Sequence, residues 1–263
     1  MPLNKFILDE TILEGITSPN LYYPNSGMDL MDAISLFSPY ISEFYFVDMS
    51  YFAYRSWVSA MCKPADEIAP LLSHRDNYRL LGVEFSEGPM QADVEWRSDP
   101  VTGESYRWVE PCTRSERYVH IPSEREIVVH RRRGFGVSGL KKLIDQLGVF
   151  YYRGDSSEGS NTAWLSIHGY LHKKGKRYPF DEVLDRIVDK GLVVTDGSWC
   201  HYGEYLEFAR APQGGSRDIL QTIADAASFT DSRGFSYRCV GYAGRSAGRP
   251  ASLIWQVRRP ESS

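Results

Sequence analysis

The sequence lacks the features that mark several large classes of protein. It holds only four cysteines in 263 residues (Cys62, Cys112, Cys200 and Cys239), and no two form a Cys-x-x-Cys pair. That spacing excludes the common zinc patterns and gives no disulfide framework for a chain of this length. Free, mostly buried thiols in a reducing compartment are expected. No apolar run approaches the roughly 20 residues of a membrane-crossing helix. The opening stretch MPLNKFILDETILEG carries acids among its apolar residues and lacks the continuous apolar core of a secretory signal. A cytoplasmic location with no membrane partner is therefore expected. There is no Gly-x-Ser-x-Gly elbow and no P-loop. An excess of basic residues is also missing: 30 Lys and Arg against 34 Asp and Glu give a net charge of −4. A globally basic nucleic-acid footprint is thereby excluded.

What is present is globular. The chain is 42% hydrophobic and 13% aromatic, enough to bury a sizeable core without staples. No internal repeat, low-complexity tract or long linker divides residues 1–263, so a single domain is expected. Apolar runs and amphipathic stretches alternate. Runs end at Tyr23, Asp48, Tyr152 and Thr195, and helices are expected over residues 4–14, 29–37, 54–72, 137–146, 180–189 and 219–227. Residues 79–133 read differently, as an antiparallel β-rich insertion. A hairpin turns at Asp99-Pro-Val-Thr-Gly103 and another at Pro122-Ser-Glu124, and the last strand is one that could join the main sheet. Two closing strands, around Tyr237–Gly241 and Ser252–Val257, follow each other without a helix. The fold class is α/β: a mostly parallel sheet with helices on both faces, an antiparallel C-terminal hairpin and the 79–133 insertion.

In open α/β sheets, ligands bind outside the carboxyl ends of the strands where the strand order reverses. The loop after the first such strand is Pro24-Asn25-Ser26-Gly27-Met28-Asp29. Gly27 lets backbone approach a ligand, Asn25 and Ser26 can donate hydrogen bonds, and the loop opens a helix whose amides attract anionic groups. Asp48 lies 21 residues beyond Gly27 at the next strand end, where a carboxylate can accept both hydroxyls of a ribose. After Tyr152 comes Arg153-Gly154-Asp155-Ser156-Ser157-Glu158. Asp155 and Glu158 could serve as a general base, hold a metal or bind a polar substrate, or Asp155 could cap a turn. His168 and His172 stand four apart as in zinc sites. The zincin glutamate is missing and lysines follow, so a solvated basic loop is the better reading. The runs His130–Arg133 and Lys173–Arg177 could bind nucleic-acid or nucleotide phosphates, or be exposed strand-end charge.

This order of elements resembles the class I S-adenosylmethionine-dependent methyltransferase superfamily over roughly residues 18–258. The resemblance implies a Rossmann-like sheet with a terminal antiparallel hairpin, a first loop that holds the methionine part of the cofactor, and a second-strand acid for the ribose. By position, Tyr23, Pro24, Asn25, Ser26, Gly27 and Asp29 match the first motif and Asp48 the acid. Asp155 and Glu158 fall where that superfamily keeps catalytic or substrate-orienting residues. Gly27 is the one glycine of the first motif, and Tyr23 stands where an acid is usual. The resemblance implies methyl transfer to an acceptor it does not name. The alternatives are a non-catalytic module binding a nucleotide-like ligand or partner, and metal-assisted phosphate-ester chemistry through Asp29, Asp155 and Asp196.

Overall fold

The computed structural model describes residues 6–8, 10–53, 63–93, 95–98, 103, 105–134, 136–152, 179–196, 228–231, 233–243 and 252–260. Their centre is five parallel strands: β2 (Asn20–Pro24), β3 (Glu43–Asp48), β8 (Arg125–Arg133), β9 (Leu147–Tyr152) and β10 (Ile187–Asp196). They lie in the order β8-β3-β2-β9-β10. All six residues of β9 are buried, as a strand covered on both faces requires. The chain enters at β2, steps outward through β3 to β8, and returns to the other flank of β2 with β9. The order therefore reverses between β2 and β9, the doubly wound arrangement with its switch point.

Antiparallel strands extend both flanks. β13 (Ser252–Arg258) pairs with β10, and β12 (Ser236–Ala243) pairs with β13. β11 (Ser228–Thr230) and β1 (Phe6–Leu8) both pair with β12. On the far side β7 (Cys112–His120) joins β8, and β4 (Tyr78–Ser86) closes the edge. This makes 11 strands in one sheet, with β5 (Glu95–Ser98) and β6 (Ser105–Trp108) as a separate ribbon.

Period-two alternation sends β2 residues to opposite faces. Leu21 and Tyr23 join Phe44, Phe46, Val149 and Tyr151 in a core covered by Ala33, Ile34 and Phe37 of α2 (Met31–Phe37) and Leu13 of α1 (Glu10–Glu14). On the other face the Tyr22 hydroxyl donates to the Gly136 carbonyl of α3 (Gly136–Leu143), and Phe150 meets Phe180 of α4 (Pro179–Arg186) at 5.8 Å. Among the described residues no helix is long and apolar enough to cross a membrane.

Several expectations are corrected. Helices cover the two faces only in part; the described helices are five to eight residues long and strands dominate. The helix expected over 4–14 shrinks to Glu10–Glu14, because Phe6–Leu8 instead satisfies its backbone along β12. Residues 63–72 form turns rather than helix, with Pro64 and Pro70 unable to donate backbone hydrogen bonds. The helix expected over 180–189 stops at Arg186 and runs straight into β10. Lys190, at φ 62°, and a register shift between Ile187 and Leu192 absorb the change, so Gly191 caps nothing. Both hairpins of residues 79–133 form, yet most of that stretch is no insertion. β8 belongs to the parallel centre, β7 and β4 extend the same sheet, and only β5–β6 stands apart. Residues 54–62 and the helix expected over 219–227 lie outside the described residues.

Candidate functional site

The carboxyl ends of β2, β3 and β8 bring three loops together. Gly27 donates its backbone N–H to Asp48 Oδ2 at 3.0 Å, and Ser50 donates to Asp48 Oδ1 at 2.8 Å. Gly134 donates to the Asp48 carbonyl at 3.2 Å. The two residues that sequence spacing linked are thus in direct contact, and the carboxylate is oriented by two backbone amides.

Tyr51 stands between the loops. Its hydroxyl donates to the Gly27 carbonyl at 2.7 Å and lies 2.8 Å from Ser26 Oγ. A phenol has one proton, so the Ser26 hydroxyl is the donor to the Tyr51 oxygen. Burial pushes the Tyr51 hydroxyl well above its ordinary pKa, and the nearby Asp48 charge adds to the shift. The phenol therefore stays neutral. Three residues here adopt left-handed backbone: Asn25 at φ 51°, Gly27 at φ 50° and Phe52 at φ 56°. For a buried aromatic such as Phe52 that conformation is costly, and it persists only where neighbours enforce it. Arg133 is such a neighbour, donating to the Phe52 carbonyl at 2.8 Å.

The loop splits the expected ligand residues into two groups. Asn25 and Met28 are exposed, Gly27 and Asp29 half-buried, and a Cβ at Gly27 would meet nothing within 4 Å. The space outside the loop is therefore open. Tyr23 and Pro24 are buried, and the Tyr23 ring packs 4.9 Å from Tyr151 and 6.1 Å from Phe46. Its side chain belongs to the core. Ser26 is also buried, bonded to Tyr51. α2 is only seven residues long, and its N-cap, Leu30, makes no side-chain cap, so it is too short for the helix-terminus anion site the sequence suggested. Asp155, Glu158, His168, His172 and Lys173–Arg177 lie outside the described residues.

The run His130–Arg133 is corrected outright. It is neither a phosphate patch nor exposed charge: Arg131, Arg132 and Arg133 are 5%, 2% and 0% exposed. Arg131 pairs with the fully buried Glu116, which also forms an ion pair with Arg114 at 2.7 Å and accepts the Leu71 amide at 2.7 Å and the Tyr118 hydroxyl. Arg132 donates to Glu87 at 3.0 Å. Arg133 donates to the carbonyls of Phe52, Pro89 and Glu110. Burial pushes the Arg133 and Arg114 guanidinium groups below their ordinary values, opposed by the Glu110 and Glu116 charges respectively. His130 bridges Ser115 Oγ at 2.7 Å and Glu43 at 2.9 Å, its ring stacked on Tyr45 at 4.5 Å. Arg114 also reaches the Ala65 and Ile68 carbonyls. These arginines fasten the loops behind the site, a role that sequence reasoning missed along with Tyr51. The partner acids are Glu116, buried on the neighbouring strand β7, and Glu87, exposed just past β4 and 45 residues from Arg132.

No protein-family model, curated protein or solved structure matches this chain.

Proposed function

We propose that the loops after β2 and β3 bind S-adenosylmethionine and that the protein transfers its methyl group to a small or nucleotide-like acceptor. The observation that carries this reading is the Gly27–Asp48 contact at the switch point of a doubly wound sheet. The reversed strand β13, lying between β10 and β12, gives the terminal hairpin that the methyltransferase resemblance implies. Fit is favourable on the open side of the loop, where Gly27 leaves space that a larger residue would narrow. Asp48 would accept the ribose hydroxyls on lone pairs its two amide partners leave over, in an orientation those amides already fix. Asn25, exposed beside Gly27, would donate to the methionine end. S-adenosylmethionine supplies an electrophilic methyl group on a sulfonium, so the protein's task is alignment and exclusion of water. Asp155, three residues past the end of β9, would orient or deprotonate the acceptor, with Glu158 beside it in sequence.

Calorimetry tests this directly. Binding of S-adenosylmethionine or its demethylated product is expected in the micromolar range, weakened on the order of 10-fold by Asp48→Ala. Absence of heat with both ligands would overturn it. A second reading has its own observation: Asp48, Ser26 and Tyr51 are already bonded to the protein around the loop. A non-catalytic module that binds a nucleotide would show thermal stabilisation by the nucleotide and none by the methyl donor. Saturation at about 100 times the dissociation constant adds about 2.7 kcal/mol.

A further inference from the structure

At the opposite, amino edge of the parallel strands, β11, β12 and β13 form a shelf with a different chemistry. Pairing sets Ser228 beside Arg238 and Arg238 beside Gln256, and in the next row Thr230 beside Ser236 and Ser236 beside Arg258. Residues directly opposite on antiparallel strands share a face, so all six point the same way. They line one cleft of about 290 Å³. Toward the sheet centre this same face carries Leu192, Val194 and Ile254, packed in the core. Beyond Ile254 the β13 positions on that face change to Gln256 and Arg258, so the apolar row stops at the cleft.

The cleft is lined by guanidinium, hydroxyl and amide groups and by no carboxylate among the described residues. Arg238 and Arg258 are exposed, and neither has a carboxylate partner among the described residues. By contrast Arg233, in the preceding turn, is held by Asp181 at 2.6 Å and Asp231 at 2.7 Å. Arg238 and Arg258 are diagonal neighbours across β12 and β13, a separation of about 7–8 Å that long side chains span. The Thr230 and Ser236 hydroxyls, 3.0 Å apart, stand in Arg258's row. Two forked donors on one cleft, a diagonal step apart and beside hydroxyls, match a compact oxyanion with several acceptor oxygens.

We infer that this shelf is a binding site for a phosphate group, either inorganic phosphate or the phosphate of a small monoester. Both guanidinium groups would donate to the phosphate oxygens, with Ser228, Thr230 or Ser236 completing the shell and Gln256 closing its floor. S-adenosylmethionine carries no phosphate, so this site and the switch-point loops succeed or fail separately.

The test is titration of the full chain with inorganic phosphate, a nucleoside 5′-monophosphate and the parent nucleoside, read by calorimetry. Saturable phosphate binding is expected, with the monophosphate bound and the nucleoside not. Arg238→Ala and Arg258→Ala should each weaken phosphate on the order of 10-fold, and the double variant should abolish it with an unchanged unfolding midpoint. Tighter binding of the monophosphate than of phosphate identifies a monoester as the source; equal affinities identify the free anion. No saturable phosphate binding up to roughly 10 mM, or the same affinity in the double variant, would overturn the site.

Discussion

Two groups of arginines meet opposite fates in this molecule. Arg131, Arg132 and Arg133 form the most basic run within the described strands, yet all three are buried. Arg238 stands alone in sequence and Arg258 belongs only to an Arg258-Arg259 pair, yet both are exposed on one cleft. The difference lies in the neighbouring strands. β8 is flanked by β7, which carries Glu116, and faces the end of β4, which is followed by Glu87. In the rows of Arg238 and Arg258, the partners on β11, β12 and β13 are Ser228, Thr230, Ser236 and Gln256, which offer hydroxyls and an amide. A guanidinium can be buried when hydrogen-bonded acceptors surround it. Without them it stays in solvent, available to a ligand. Charge density along the chain therefore does not locate a binding surface here; cross-strand pairing does.

That contrast can be broken by substitution. The largest effect is expected from Glu116→Gln, which leaves Arg114 and Arg131 buried without their counter-charge. A loss of about 3–5 kcal/mol is expected on chemical denaturation, and a loss below 1 kcal/mol would mean the network is solvated. Arg133→Met comes next. It removes three carbonyl partners, among them that of the left-handed Phe52, and is expected to cost about 2–4 kcal/mol. Because Arg133 fastens the loop that follows Asp48, the same variant should also weaken ligand binding at the switch point.

A smaller effect separates a buried polar group from its exposed counterparts. His120, at the end of β7, is bonded to Ser123 Oγ at 2.7 Å, and burial lowers its pKa below the ordinary 6.5. The unfolded chain then binds the proton more readily, so the stability linked to neutral His120 is complete above pH 6.5 and is lost as pH falls through it. Comparing the wild type with His120→Gln between pH 7.5 and pH 5 isolates this effect; parallel curves would refute it. The smallest change is expected from Arg238→Ala, within about 0.5 kcal/mol of wild type, as for exposed surface side chains. A cost near that of Arg133→Met would place Arg238 in a buried network instead.

Much of the central sheet was legible. The apolar runs at Leu21–Tyr23, Phe44–Val47 and Val149–Tyr152 are strands, because a strand covered on both faces shows as continuous hydrophobicity. Turn chemistry located both middle hairpins. The pairing of Gly27 with Asp48 was legible because parallel neighbours align their carboxyl ends. Tyr51 was not, since a tyrosine three residues before a helix-like stretch carries no signal that its hydroxyl will bridge two loops. The ends of elements were also misjudged where the competition was tertiary. Phe6–Leu8 has helical spacing, but β12 offers its backbone a partner.

The sequence by itself determined the succession of strands and helices and the loops that follow the central strands, because hydrophobic period and turn residues act over a few neighbours. Only the tertiary structure decided which charges are buried, which tyrosine closes the loop and which arginines lack a carboxylate partner among the described residues. Those outcomes depend on acceptors delivered across strands from distant parts of the chain, and hydrogen bonding and desolvation act between groups that meet only in the folded protein.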